Sequence, residues 1–214
     1  MNAPYELYET RRRTFDGAWD GELTRFLMPY KFAIDEVCTK LNVLRQEFAH
    51  LHDYNPIEHV TSRLKSVESI RAKAVRRGCG FEIEAIRAAI FDIAGVRITC
   101  AFISDVYTLF DLFTRQHDIS VIEVEDYIAA PKANGYRSLH AIVEVPVFLS
   151  TGPLHVPVEM QFRTVAMDFW ASLEHKIYYK YDRELPAALY DELCDAAATA
   201  AELDERMQRL HHIV

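Results

Sequence analysis

The sequence predicts an α+β protein, with helices at both ends of a mixed sheet of about four to five strands; α/β is the neighbouring alternative. Three observations predict it. Along His155–Arg163, the apolar Val156, Val158, Met160 and Phe162 alternate with Glu159, Gln161 and Arg163, the period of a strand with one buried face. From Leu27 to Leu51, Leu27, Tyr30, Ile34, Val37, Leu41, Leu44, Phe48 and Leu51 keep a three-four spacing, the seam of one long helix. Between these lie short apolar runs punctuated by turn residues, such as Ser150-Thr-Gly-Pro153, which reads as a hairpin.

Up to about Arg13 the chain gives no clear signal. The long helix stops before Asn55-Pro56, since proline disfavours helical geometry in the residue before it. A short helix follows, with Ser66 as N-cap, Glu68 as a first-turn acid, and Gly78 and Gly80 at its end. Phe81–Phe91 is also helical, and Asp92 falls at the end of that helix. A strand over Gly95–Phe102 sets Val96, Ile98, Cys100 and Phe102 on one side. A helix over Ser104–Gln116 joins it to a strand near Ile119–Tyr127; the strand His140–Phe148 and the hairpin then lead into His155–Arg163. Helices over Thr164–Lys180 and Ala187 to about His211 complete a single domain without internal repeats.

Composition narrows the function classes. Half of the 214 residues are hydrophobic, enough for one substantial core. No stretch is long and apolar enough to span a bilayer, and Met1–Arg13 holds no signal-peptide core, so no membrane role is expected. Cys38, Cys79, Cys100 and Cys194 are scattered without a C-x-x-C pair, which predicts reduced thiols in a cytoplasmic protein. A net charge of −8 argues against nucleic acid as the main partner.

The exception to the acidic balance is a run of cations: Arg63, Lys65, Arg71, Lys73, Arg76 and Arg77, opposed only by Glu68. Within the short helix, Ser69, Lys73, Arg76 and Arg77 recur at three- and four-residue steps, so one face carries a hydroxyl and three cations. A helix N-terminus adds partial positive charge, and the combination reads as a polyphosphate cradle; a solvated helix face is the alternative. The run Lys132-Ala-Asn-Gly-Tyr-Arg-Ser-Leu-His140 feeds the strand before Glu159 and adds phosphate-binding and base-stacking groups. Asp92 and Glu159 are separated carboxylates of the kind that hold Mg²⁺ together with substrate phosphates. The nine histidines form no H-E-x-x-H or paired metal spacing.

Five ordered segments resemble the motifs of RelA/SpoT-type alarmone synthetases. They are Arg63-Leu-Lys-Ser-Val-Glu-Ser-Ile70, Asp92-Ile-Ala-Gly-Val-Arg97, Asn134-Gly-Tyr-Arg-Ser-Leu-His140, Val158-Glu-Met-Gln-Phe-Arg-Thr164 and Phe169-Trp-Ala-Ser-Leu-Glu-His-Lys176. Together with Pro29-Tyr-Lys-Phe-Ala-Ile-Asp-Glu36 they span roughly Leu27–Tyr181, and the short length is similar to that of the single-domain small alarmone synthetases. The resemblance implies a nucleotidyltransferase-like synthetase fold. It also implies transfer of the β,γ-pyrophosphate of ATP to the ribose 3′-OH of GDP, GTP or GMP, with release of AMP. The long bifunctional relatives add a hydrolase domain with an H-D-x-x-E-D signature; His52-Asp53 and His117-Asp118 lack its later acids, so hydrolysis is not expected.

By the same resemblance, Asp92 and Glu159 hold Mg²⁺, and Glu159 activates the 3′-OH. Arg63 and Arg97 sandwich the adenine, while Lys65, Ser69, Lys73, Arg76 and Arg77 take the ATP phosphates. Tyr136 stacks on guanine and Asp168 reads its edge from the helix face it shares with Ser172 and His175. Lys132, His140, Gln161 and Arg163 position the phosphates and ribose of the acceptor. Two departures stand out: Val67 replaces a common proline, which alters the helix start, and Glu125 lies where some relatives are basic, which weakens preference for a triphosphate acceptor.

Leu189, Leu193, Ala196, Ala200, Leu203, Met207, Leu210 and Val214 alternate four-three along the last helix, as the apolar residues of the helix near 27–51 do. Such narrow seams fit helix–helix packing, within one subunit or between subunits. The family resemblance favours a homo-oligomer, a tetramer, built through these helical parts. A silent nucleotide-sensing or RNA-binding module is the alternative function. A nucleotidyltransferase moving a nucleoside monophosphate would be expected to carry a D-x-D pair, which is absent.

Overall fold

The computed structural model describes residues 3–181 and 185–213, with side chains from residue 23 onward apart from that of residue 179. Its elements run α1 (Ala3–Leu51), β1 (Ile57–Leu64), α2 (Val67–Arg77), α3 (Ile83–Ala89), β2 (Ala94–Cys100), α4 (Ile103–Thr114), β3 (Ser120–Asp126), β4 (Leu139–Leu149), β5 (Gly152–Thr164), α5 (Val165–Lys180) and α6 (Ala187–His211). The five strands form one mixed sheet in the order β1-β2-β5-β4-β3, so the expected α+β class is observed. Only β2 and β5 run parallel, with Gly95 beside Glu159 and Arg97 beside Gln161. The hairpin joins β4 to β5 in a long antiparallel ladder from Leu139↔Phe162 to Leu149↔Gly152.

The alternation of β5 becomes two faces. Val158, Met160 and Phe162 are fully buried with Val96 and Ile98 of β2 and Ala141 and Val143 of β4. Tyr30, Ala33, Val37 and Leu41 of α1, and Val106, Leu109 and Phe113 of α4, join the same core, where Phe110 meets Phe162 edge-on. Burying one such side chain contributes about 1.5–3 kcal/mol. The opposite face carries Thr61 and Arg63 of β1, Gly95 and Arg97 of β2, Glu159, Gln161 and Arg163 of β5, and His140 of β4, aligned by register. Glu125 of β3 sits opposite His140 and extends that polar face to the sheet edge.

Four sequence expectations change. β1 was not expected: Ile57, Val60 and Leu64 are its only apolar residues, and as an edge strand exposed along most of its length it needs no alternation. Asp92 lies in the link between α3 and β2 rather than at a helix end. In α6 the buried positions are Leu193, Ala197 and Asp204, while Leu203, Met207 and Leu210 of the expected seam are exposed; Val214 and the side chains of Met1–Arg13 lie outside the described residues. The helix expected from Leu27 extends back to Ala3. All four cysteines are free thiols, and no helix among the described residues is long and apolar enough to cross a membrane.

Candidate active site

The cationic helix is built as its residues demand. Ser66, in extended geometry, caps α2 by accepting from Ser69 N, and Gly78 ends it in the left-handed conformation. Both ends being fixed, Lys73 points back toward the sheet. Lys65 Nζ and Lys73 Nζ each donate to Asp92 Oδ2 at 2.6 Å. Burial would raise the Asp92 carboxyl, but hydrogen bonds and charge from the two lysines hold it below the usual carboxylate range. Its other oxygen, Oδ1, is buried without a hydrogen-bond partner. Burial in turn pushes the Lys65 ammonium down.

Beside this cluster is a groove of about 150 Å³ whose lining includes Thr61, Arg63, Gly95, Arg97, Glu159 and Gln161. Arg63 and Arg97 stand diagonally on neighbouring strands, with Arg63 crossing over Gly95. A flat ligand entering between them would meet two guanidinium planes. Glu159, beside Gly95 in register, is part of the groove's lining. Burial first, and then the Asp92 charge, raise its carboxyl above the ordinary range, while Gln161 Nε2 donates to its Oε2 at 3.0 Å.

Beyond Glu159 lies a second polar cluster. Arg163 is 4% exposed, and its guanidinium donates to Asp168 Oδ1 at 3.1 Å, Gln161 Oε1 at 3.2 Å and the Tyr136 hydroxyl at 2.5 Å. Arg97 Nη1 donates to the same Asp168 oxygen at 3.1 Å. Two guanidiniums on one carboxylate leave the cluster cationic. His140 is pushed down to about 4 by burial and by the charges of Arg163, Lys132 and Arg97, so it is neutral near pH 7. The Tyr136 hydroxyl, accepting from Arg163, therefore donates to His140 Nε2 at 2.8 Å, which leaves the Nδ1–H facing Glu159 Oε1 at 3.9 Å.

The Tyr136 segment is shaped by a turn in which Gly135 N donates to Lys132 O at 2.8 Å and Gly135 has φ 82°. A Cβ on Gly135 would come within 2.5 Å of the Ala197 Cβ, so α6 packs directly on the turn. Lys132 Nζ lies 4.1 Å from the Tyr127 ring centroid and 5.2 Å from that of Tyr136. Tyr127 also meets His140 edge-on at 5.3 Å.

The family model described as the region found in RelA/SpoT proteins matches residues 62–184. GTP pyrophosphokinase YwaC of Bacillus subtilis is 50% identical over 189 residues, 88% of each chain. The chain belongs to the RelA/SpoT family. Among solved structures, small alarmone synthetase 1 from Bacillus subtilis bound to its product pppGpp superposes with TM-score 0.86 at 39% identity, covering 91% of this chain and 99% of that one. The same synthetase bound to AMPCPP gives TM-score 0.78 at 35% identity over 91% and 98%.

Most of the site residues expected of a RelA/SpoT protein gather on one sheet face: Arg63, Lys65, Lys73, Asp92 and Arg97 on one side of Glu159, and Lys132, Tyr136, His140, Gln161, Arg163 and Asp168 on the other. The remaining residues expected of the cationic helix lie outside these clusters. Ser69 is engaged in the N-cap with Ser66, Arg77 Nη1 donates to Ala89 O at 2.7 Å, and Arg76 is exposed. Tyr127, beside Lys132 and His140, was not foreseen as part of this cluster; its only signal is its place just before the Lys132 turn.

Proposed function

We propose that this chain is a guanosine 3′-pyrophosphate synthetase. It transfers the β,γ-pyrophosphate of ATP to the ribose 3′-OH of GDP, GTP or GMP and releases AMP, as a stringent-response signalling enzyme of the cytoplasm. The observation that carries the reading is the position of Glu159, a carboxylate raised above its ordinary range between two cationic clusters on one sheet face. The ligands named for the related synthetase, AMPCPP and pppGpp, suggest ATP and guanine nucleotides as partners here.

In this reading Arg63 and Arg97 hold adenine while Lys65 and Lys73 turn from Asp92 to the ATP phosphates, with Ser69, Arg76 and Arg77 around them. Tyr136 stacks on guanine, Asp168 accepts from its N1–H and N2–H₂, and Lys132, His140, Gln161 and Arg163 place ribose and phosphates. Glu159 takes the 3′-OH proton as that oxygen bonds the β-phosphorus and the bond to the α-phosphate oxygen breaks; its raised pKa suits a base, and most of the remaining catalysis is positioning and charge. The orphaned Asp92 Oδ1 beside Glu159 fits a hard cation, and these two carboxylates would hold Mg²⁺, which supplies charge neutralisation of the phosphates. Glu125, in register with His140 at the acceptor edge, disfavours a long phosphate chain there.

Leu203, Met207 and Leu210, exposed by 52%, 43% and 54%, form an apolar stripe on α6 that supports assembly into a homo-oligomer, a tetramer built with the help of α1. The decisive test of function is incubation with ATP, Mg²⁺ and each of GMP, GDP and GTP, followed by separation of nucleotides. A 3′-pyrophosphorylated guanine nucleotide and AMP in equal amounts are expected; ATP consumption without that product would overturn the reading.

A further inference from the structure

Asp204 is a carboxylate with 6% exposure, on a helix that supplies no residue to the site described above. Thr164 Oγ1 donates to its Oδ2 at 2.6 Å. Thr164 ends β5 and caps α5, its Oγ1 accepting from Met167 N at 3.2 Å. A hydroxyl has one proton, so giving it to Asp204 turns a lone pair toward the helix N–H and locks the rotor. The residue after Met167 is Asp168, and the one before Thr164 is Arg163. The locked cap therefore sets the relative position of the two groups joined at 3.1 Å in the acceptor cluster.

Asp204 faces the other acceptor segment as well. A small cavity has Gly135, Arg137, Met167, Ala197 and Asp204 among its walls, and the Arg137 charge acts on the carboxylate. Arg137 adjoins Tyr136, whose ring packs with Trp170 and Ala197 between α5 and α6. Capping α5 uses the acceptor side of the buried Thr164 hydroxyl, and although its proton also needs a partner, a neutral oxygen behind it would serve without desolvating a charge. Folding alone does not account for a carboxylate here.

We propose that Asp204 is a positioning residue for the guanine-nucleotide half of the site, acting through Thr164 and the Arg137 segment and far less on the ATP half. This rests on the reading of Tyr136 and Asp168 as acceptor-binding groups.

Initial rates measured against each substrate for Asp204→Ala, Asp204→Asn, Thr164→Val and Thr164→Ser provide the test. Asp204→Ala and Thr164→Val raise the KM for GDP on the order of tenfold, the loss of one charge-assisted hydrogen bond, and raise the KM for ATP far less. Their double variant is less impaired than the two single changes added together, because the Thr164–Asp204 contact is lost in both. Asp204→Asn and Thr164→Ser restore GDP binding, since each keeps its half of the hydrogen bond. A merely structural role would lower the active fraction, and so kcat, at wild-type KM values. That result, an equal rise in both KM values, or an Asn variant as impaired as Ala would overturn the proposal. Should Asp204→Ala fail to fold, Thr164→Val decides by the same split. A wild-type chain without guanine-dependent turnover would instead sink the functional reading itself.

Discussion

Arg97 and Asp168 are bonded to each other at 3.1 Å, which joins the group proposed for adenine to the group proposed for guanine. Asp168 cannot turn both oxygens to guanine while Arg97 and Arg163 share its Oδ1. ATP drawing Arg97 away leaves that oxygen to Arg163 alone, so the two substrates help each other bind, and by linkage the help is mutual. Calorimetry with a non-hydrolysable ATP analogue is expected to show GDP binding tighter by about fivefold or more. Arg97→Ala removes that gain without weakening GDP bound alone. Equal GDP affinity with and without the analogue contradicts the coupling.

Glu159→Gln keeps the size of the side chain and removes its basicity. The variant is expected to fold and to lose synthesis by about 10²–10⁴-fold, the usual contribution of a general base. Near-normal turnover would remove Glu159 from the reaction.

Tyr136→Ala is expected to raise the KM for the guanine nucleotide roughly ten- to a hundredfold, as base–aromatic stacking contributes about 1–3 kcal/mol. The KM for ATP stays close to wild type, whereas Arg97→Ala acts mainly on ATP. Matching effects of both changes on both substrates would undo the division of the site.

Asp204 titrates above the ordinary carboxylate value because burial outweighs the Thr164 hydrogen bond and the Arg137 charge. A raised acid favours folding below its unfolded pKa and loses that contribution as pH rises through the folded one. Asp204→Asn should therefore unfold at a higher temperature than wild type near about pH 7, with the difference shrinking toward about pH 4. A constant difference, or a lower midpoint at neutral pH, contradicts this.

The apolar stripe of Leu203, Met207 and Leu210 on α6 predicts a mass above that of one chain by light scattering at micromolar concentration, and Leu203→Asp is expected to lower it. A monomeric wild-type chain excludes the assembly.

Much of this fold was legible because its central strands alternate cleanly; Val158 to Arg163 shows both the core and the polar face. β1 was not, because an exposed edge strand places few demands on hydropathy. The α6 seam misled for a related reason: four-three spacing marked two adjacent faces, and the one that is buried includes the carboxylate of Asp204. The candidate residues of the site could be named one by one, but their convergence depends on the parallel pairing of β2 with β5, which local pattern does not encode.

That pairing has a consequence for synthesis on the ribosome. Asp92 precedes β2 and Glu159 lies in β5, and Ala94 meets Val158 only across the long intervening stretch that holds α4, β3 and β4. Such a non-local ladder forms late, after the loop between its partners has closed. A nascent chain that has emerged through β4 holds Lys65 and Lys73 but not yet Glu159. Under the role proposed for Glu159, such a chain is inert, and the chemistry waits until β5 has left the exit tunnel.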